Sequence, residues 1–293
     1  MKQYSAMFRL LNKYYWKSFF GPFFTFLFPV FWILLIGTIF SLGDQITPAL
    51  IIPGATMVSI ISTSCISLPQ TILEFRQTQT LKRIGATKIV PSTFLITVIT
   101  YYFCLVFISF WLTCGLAILV LWNDLDHVLE LFNSANYLEL MYSIFITMIM
   151  GASLGFLIAT FCRTTASVQG IGLFILLISF IFAGVGIPFV LFHDDGAFNI
   201  SWLWYCSYMD PFHFTSGLAL ESWWSDQGNF NYYGSSIFNV AYPYQSRVLA
   251  NFGDHVQIFN TPEKIANIVV PLAIILASNC LTLIFFKLDN NRG

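Results

Sequence analysis

The sequence is poor in charge. Of its 293 residues only 9% are Asp, Glu, Lys or Arg, whereas 57% are hydrophobic. A soluble domain carries about 25% charged residues. Phenylalanine alone, with 32 residues, outnumbers the 13 bases and 14 acids together. Because so few charges cannot cover a surface that faces water, the composition excludes an ordinary soluble protein and indicates an integral membrane protein.

The sequence also lacks motifs for nucleotide, metal or disulfide chemistry. No GxxxxGK[ST] occurs, which excludes a P-loop cradle for ATP phosphates. The six cysteines form no CxxC pair, so neither a zinc cluster nor a disulfide framework is indicated. The net charge of −1 shows no excess of basic residues of the kind that binds nucleic acid. Five residues without a metal-ligand spacing are interpreted as solvated loop residues rather than as a metal or enzyme site: His193, Asp194, Asp195, His213 and His255.

Six apolar runs are long enough to cross a bilayer core of roughly 30 Å as helices. They are residues 22–42, 48–72, 92–122, 137–162, 164–192 and 265–286. Helices are expected because backbone N–H and C=O groups in hydrocarbon must bond within their own segment. The predicted fold is an all-α membrane protein with six transmembrane helices, an N-terminal amphipathic interfacial helix, a short cytoplasmic helix and outer re-entrant helices.

The runs divide the chain into four parts. Residues 1–20 form the amphipathic helix, whose Lys2, Arg9, Lys13 and Lys17 fall within roughly 80° on a helical wheel. This basic face either anchors the chain to anionic headgroups or contacts a cytoplasmic partner. The other parts are 21–192 with five spans and the cytoplasmic helix 73–90, 193–264 with a re-entrant segment and an exposed cap at 225–262, and 265–293 with the sixth span and a tail.

Lys and Arg residues are distributed unevenly between the two sides. If the N-terminus is cytoplasmic, eleven of the thirteen lie inside, and only Arg247 and Lys264 lie outside. This asymmetry predicts that both termini are cytoplasmic. The spans themselves carry no charged residue near their middle. Ion-coupled carriers usually need such residues, so any work done by this chain must be powered from elsewhere.

The second and fifth spans are rich in small and hydroxyl residues. These residues either let the helices pack closely or line a weakly polar path between helices that slide and reopen, and both interpretations stay open. The candidates for such a pathway are Thr56, Ser59, Thr63, Ser67, Ser179, Gly184 and Gly186. An uncharged path of this kind favours an amphipathic or lipid-like cargo.

The stretch ILEFRQTQTLKRIGATKIV, residues 72–90, holds four of the thirteen bases between two apolar runs. The simpler interpretation is a positively charged cytoplasmic loop. The alternative is a short rigid helix whose polar face docks on a partner. Pro91 then suits the first turn of the third span.

With the following residues this stretch resembles the first cytoplasmic loop of type-2 ABC exporter permeases. The matching residues are Glu74, Thr80, Leu81, Lys82, Arg83 and Thr87, whereas Gln79 and Lys88 replace the usual Gly and Pro. CRTTASVQG resembles the second cytoplasmic turn of that family, and FAGVGIPFVLF the end of its fifth span. YMDPFHFTSGLALES resembles its outer re-entrant segment, in which Asp210, Pro211 and Phe212 match.

The resemblance implies a permease subunit of an ATP-driven exporter in the plasma membrane of a bacterial cell. A separate ABC ATP-binding subunit would bind ATP and Mg, and this chain would hold neither. The helix within 73–90, including Arg76, would be the coupling helix seated on that subunit, and Arg163 would mark a second contact. A second permease chain, identical or paralogous, would complete the pathway. The alternatives are a passive channel or secondary carrier, and a membrane enzyme.

Overall fold

A computed structural model describes residues 2–41, 48–77, 91–122, 125–183, 205–223 and 261–290. Every regular element among these residues is helical, which confirms the prediction of an all-α membrane protein. The α-helices are α1 (Lys2–Lys17), α2 (Phe20–Pro22), α3 (Phe28–Ser41), α4 (Pro48–Ser62), α5 (Leu68–Gln77), α6 (Pro91–Val120), α7 (Leu125–Ser134), α8 (Tyr137–Phe161), α9 (Thr165–Phe182), α10 (Pro211–Trp223) and α11 (Thr261–Asn290). Two π-helical segments, π1 (Phe23–Leu27) and π2 (Thr63–Ser67), continue α2 into α3 and α4 into α5.

Five helical stretches in the described part are long and apolar enough to cross a membrane. They are Ile52–Gln77, Thr93–Val120, Tyr137–Phe161, Thr165–Phe182 and Ile265–Ile284. A sixth is obtained if Tyr4–Lys17 and Phe20–Leu35, which meet at 88°, count as one bent span. We refer to Phe20–Leu35 as the first span and to Ile52–Gln77 as the second span.

Helix α1 packs on the bundle through one row of side chains. Met7, Leu11 and Tyr15, spaced four residues apart, are buried, whereas Arg9 and Lys13 on another face are exposed. Since α1 is bent by 88° from the first span, it lies parallel to the membrane surface when the first span crosses the membrane. This is the orientation of an interfacial amphipathic helix.

The second span is the centre of the bundle, and its apolar window is fully buried. Hydroxyl groups of this span and of α6 bond to backbone carbonyls of π1 in the first span. The Ser62 hydroxyl donates to the Phe24 carbonyl at 2.7 Å, and the Ser109 hydroxyl of α6 donates to the Thr25 carbonyl. These two carbonyls lie five and four residues before Pro29, which has no N–H to offer them. Hydroxyls from other helices therefore replace the missing backbone bond.

Pro69 is placed relative to π2 as Pro29 is relative to π1. The carbonyls of Ser64 and Cys65 lie five and four residues before Pro69, which has no N–H to offer them. Here glycines of the fourth and fifth spans approach the backbone. A Cβ on Gly155 would lie 2.5 Å from the Ser64 carbonyl oxygen, and one on Gly172 would lie 2.6 Å from that of Cys65. Both distances are too short for a real side chain. The glycines are thus what allows α8 and α9 to pack on the second span from two sides.

Helix α10 lies within the segment that was predicted to be re-entrant. Its 13 residues span about 20 Å, which is too short to cross a core of roughly 30 Å. The helix packs against α4, α8 and α11, and both Phe212 and Trp223 are fully buried. The predicted cap at 225–262 lies outside the described residues, except that α11 already begins at Thr261.

Replacement of Gly172 by Ala tests the packing of α9 on π2. We expect Gly172→Ala to lower the unfolding free energy by about 1–3 kcal/mol, because the new Cβ meets a backbone carbonyl that cannot move aside. The measurement is unfolding of the purified chain by SDS titration in mixed micelles.

Gly170→Ala is the matched control, since the space around Gly170 in the same helix is open. Both substitutions raise helix propensity by about 1 kcal/mol, but only the one at Gly172 brings a Cβ against the backbone of π2. Equal stability of the two variants would contradict this account of the packing.

Candidate functional site

The end of α5 carries five polar residues where the second span runs into the predicted cytoplasmic segment 73–90, and we call residues 70–77 the α5 stem. Arg76 reaches across to the C-terminus of α8, where its Nη1 donates to the carbonyls of Ala159 at 3.0 Å and Thr160 at 3.4 Å. The last carbonyls of a helix have no helical partner and form the negative end of its dipole. The guanidinium group therefore caps α8 and ties it to the stem.

A second contact joins the stem to the turn that follows α8. Gln77 Nε2 donates to the Arg163 carbonyl at 3.1 Å. The Arg163 side chain is exposed, so this bond depends on its backbone and leaves its guanidinium group at the surface. The stem is thereby bonded both to the end of α8 and to the turn between α8 and α9. These are the two places that the sequence predicted to meet a partner.

Gln70 joins the stem to two further elements. Its Nε2 donates to Ser18 Oγ at the bend after α1 and to Glu74 Oε1, each at 3.1 Å. Its Oε1 accepts from Gln169 Nε2 of α9 at 3.4 Å. The Gln70 side chain is buried, and a buried amide is stable only when such bonds are made. One residue thus connects the amphipathic helix, the second span and the fifth span.

Phe75 fixes the stem by packing as well as by hydrogen bonds. Its ring is fully buried between Tyr14 of α1, at a centroid distance of 4.8 Å, and Phe94 of α6, at 6.2 Å. Both contacts are edge-to-face, the arrangement that the charge distribution of aromatic rings favours. The stem consequently has polar or aromatic contacts to α1, α6, α8 and α9.

The structure describes three of the predicted coupling residues, namely Glu74, Arg76 and Arg163, and places them within this assembly. The other five lie outside the described residues: Thr80, Leu81, Lys82, Arg83 and Thr87. Gln70, Gln77 and Gln169 were not predicted. A signal for Gln70 was available, because a glutamine in an apolar run lies four residues before Glu74 and shares its helix face.

The pathway candidates of the second span are buried within this single chain. Thr56, Ser59, Thr63 and Ser67 donate or share hydrogen bonds with backbone carbonyls or with hydroxyls of other spans. Their part in a pathway stays a prediction. Gly184 and Gly186 lie outside the described residues.

Ser179 of α9 and Asp210, both buried, join the fifth span to helix α10. Ser179 Oγ donates to Asp210 Oδ1 at 3.1 Å, and the same oxygen accepts the Phe212 N–H at 3.1 Å. Asp210 thus caps α10, and Pro211 occupies the first helical position, where no N–H is needed. Burial raises the pKa of the Asp210 carboxyl, and the two hydrogen bonds oppose this rise.

The interpretation of His213 as a solvated loop residue is wrong. Its side chain is fully buried, and its Nδ1 lies 3.3 Å from the Phe182 carbonyl oxygen of α9. The error arose because α10 inserts between the spans, which a loop assignment does not anticipate. In the described part no three His, Cys, Asp or Glu residues are grouped to hold a metal ion. His193, Asp194, Asp195 and His255 lie outside the described residues.

The family comparison covers α1, the first five spans, the α5 stem and the start of α10. Residues 2–217 match the family model described as ABC-2 type transporter, which is well over half of the chain. No curated protein and no solved structure matches the chain. The match confirms the resemblance to type-2 ABC permeases. The chain therefore belongs to the ABC-2 type transporter family and is a multi-pass permease component of an ABC transporter, a transport subunit rather than a catalytic one.

Proposed function

We propose that this permease uses ATP hydrolysed by a separate ABC ATP-binding subunit to move an amphipathic or lipid-like substrate outward across the plasma membrane of a bacterial cell. The observation that carries the proposal is the set of contacts made by the α5 stem. Gln70, Phe75, Arg76 and Gln77 join it to α1, α6, α8 and α9. A force applied to residues 78–90 would therefore act on several helices at once.

The energy source is argued from the sequence and the family together. The chain has no P-loop motif, so ATP and Mg would be bound by the partner subunit. The coupling residues Glu74, Thr80, Leu81, Lys82, Arg83 and Thr87 would be seated on that subunit, with Arg163 at a second contact. Closure of the nucleotide subunits would then displace the stem as a rigid body.

A second permease chain, identical or paralogous, would complete the pathway. Helix α9 supports this, because one of its faces exposes Ile171, Phe174 and Leu177 at three-residue spacing. When two chains approach through this face, the fifth span lies at the shared axis and the second span packs directly behind it. The pathway would be lined by hydroxyl and small residues of these spans, and both termini would be cytoplasmic.

The partner is tested by charge reversal in the predicted coupling helix. We expect Lys82→Glu combined with Arg83→Glu to lower co-purification of a Walker-motif ATPase at least tenfold, because two acids in place of two bases would repel an acidic counterpart on that subunit. The measurement is quantitative mass spectrometry of the complex purified in mild detergent from its own membrane.

Lys287→Glu combined with Arg292→Glu is the charge-matched control on the same predicted side of the membrane. This control should leave the ATPase bound. Retention of the ATPase and of its hydrolysis rate in both double variants would contradict the coupling assignment.

Arg76 tests transmission of the force rather than binding of the partner. In the parent complex, ATP with vanadate should change the labelling of Cys206 by a water-soluble maleimide, since Cys206 lies in the outer segment before α10. Arg76→Ala removes a charged hydrogen bond worth about 1.5–3 kcal/mol and should reduce this change several-fold while the ATPase stays bound.

Arg76→Lys, which keeps a positive charge at the end of α8, should retain most of the labelling response. The labelled peptide is identified by mass spectrometry. An Arg76→Ala complex that responds like the parent would show that the stem does not transmit the movement.

One observation supports the alternative function, a passive channel or secondary carrier. Asp210 is buried, and its Oδ2 has no hydrogen-bond partner in the described part. A buried acid of this kind is what proton coupling uses. Asp210→Asn separates the two functions, because the amide keeps an oxygen that accepts from Ser179 and loses the titratable proton.

We expect ATP hydrolysis by the complex with Asp210→Asn to stay within about twofold of the parent. A carrier instead predicts a proton flux in proteoliposomes that this substitution abolishes. The flux is measured with entrapped pyranine. A parent chain that carries protons without ATP, and loses this ability in Asp210→Asn, would overturn the proposal of an ATP-driven permease.

A further inference from the structure

A large apolar groove lies on the outside of the bundle, in the angle between α1, the first span and α6. Its volume is about 840 Å³, within the range of sites that hold drug-sized ligands. One wall is the α1 row Phe8, Asn12 and Trp16, and the opposite wall is α6 from Tyr101 to Leu112. Neither the second nor the fifth span contributes to its lining. The groove is therefore separate from the predicted substrate pathway.

The length of the groove matches one leaflet of a bilayer. Tyr101 and Leu112 are 112 − 101 = 11 residues apart, so the α6 wall is about 16 Å long at 1.5 Å per residue. This is about half of a hydrocarbon core of roughly 30 Å. Because α1 lies parallel to the membrane surface, the groove runs from the headgroup level toward the middle of the bilayer.

Polarity changes along the groove in the same direction. Its hydroxyl and amide groups, on Asn12, Ser18 and Tyr101, lie at the α1 end, where the Tyr101 hydroxyl donates to Asn12 Oδ1 at 3.1 Å. Toward Leu112 the lining is aliphatic and aromatic. Ile108 and Leu27 on its walls are each more than half exposed. The site thus suits a molecule with one polar end and a long apolar chain.

A row of bases accompanies the polar end. Arg9, Lys13 and Lys17 are exposed and each directly follows a lining residue of α1, so the basic row runs along the rim about 100° around the helix. Lys and Arg side chains near an anionic leaflet are attracted by its negative surface potential. The rim therefore selects a negatively charged headgroup.

We propose that this groove binds one anionic phospholipid of the leaflet on which α1 lies. One acyl chain packs between Trp16, Phe26 and the Tyr101–Leu112 face of α6, and the phosphate lies beside Lys13 and Lys17. The bound lipid fills the angle of the 88° bend and supports α1 against α6. The lipid would affect transport by holding α1 in place relative to the α5 stem. Ser18, which lines the groove, accepts the hydrogen bond from Gln70 of that stem.

The test is native mass spectrometry of the full-length chain, with the subunits that co-purify, in detergent micelles that contain phosphatidylglycerol or phosphatidylcholine of identical acyl chains. We expect one phosphatidylglycerol to stay bound and to be preferred at least tenfold over phosphatidylcholine. Lys13→Gln with Lys17→Gln should remove this preference without loss of folding, because both side chains are exposed.

Filling the groove tests the acyl-chain site. Cys104→Trp should abolish retention of either lipid, because Cys104 lines the groove. Cys280→Trp is the matched control, since this cysteine is also exposed but lies on α11, away from the groove. Thermal unfolding of each variant verifies the fold, and the double Lys variant remains informative if Cys104→Trp does not fold.

Two outcomes would overturn the proposal. Equal retention of both phospholipids by the parent would show that the basic rim does not select a charge. Loss of a second copy of the chain in Cys104→Trp, with the lipid count unchanged, would show that the groove is a protein interface. Neither outcome bears on ATP coupling, so the lipid proposal and the proposed function can fail independently.

Discussion

The hydroxyl-to-carbonyl bonds around the second span are the interaction on which the rest of the structure depends. The apolar window of this span is fully buried; the span contains π2, and its neighbour contains π1. A change from α- to π-helical bonding beside a proline leaves carbonyls without a helical donor, and in a membrane there is no water to bond them. Ser62 and Ser109 supply the missing donors at the two carbonyls that Pro29 leaves without a helical partner. Without these bonds the centre of the bundle would carry uncompensated polar groups.

The consequence is a central helix that contacts every functional part of the chain. At one end it forms the α5 stem, which is bonded to α1, α8 and α9. In its middle the glycines of α8 and α9 lie directly against π2. At the other side α10 packs on α4 and is tied to the fifth span through Asp210 and Ser179. A displacement of the stem would therefore reach helix α10 through elements that are packed against one another without a gap. The π-helical segments π1 and π2, where the backbone hydrogen bonds change register, are where such a helix adapts with the least loss of bonding.

Prediction from the sequence succeeded where the signal lay in neighbouring residues. It failed where contacts between distant segments determined the position or role of a residue. The apolar runs gave the spans, and the basic face of α1 gave the amphipathic helix. Helix α7 (Leu125–Ser134) was not predicted, because a search for long apolar runs passes over a short helix with two acids and one histidine. His213 was assigned to a solvated loop because no metal-ligand spacing surrounds it in the sequence. Only the insertion of α10 between α4, α8 and α11 buries it. Gln70 was overlooked because its partners, Ser18 and Gln169, are 52 and 99 residues away.

The sequence by itself determined the class of protein, its helical spans and its place in a transporter family, because hydrophobicity and the spacing of charges are properties of the chain alone. It also contained the prolines that follow π1 and π2 in the first two spans. The tertiary structure decided what meets the carbonyls near these prolines, since the hydroxyls at π1 and the glycines at π2 come from other helices. It likewise decided that the predicted pathway residues of the second span are hydrogen-bonded inside one chain. Finally, it created the groove between α1 and α6, which requires an 88° bend that no periodicity in the sequence specifies.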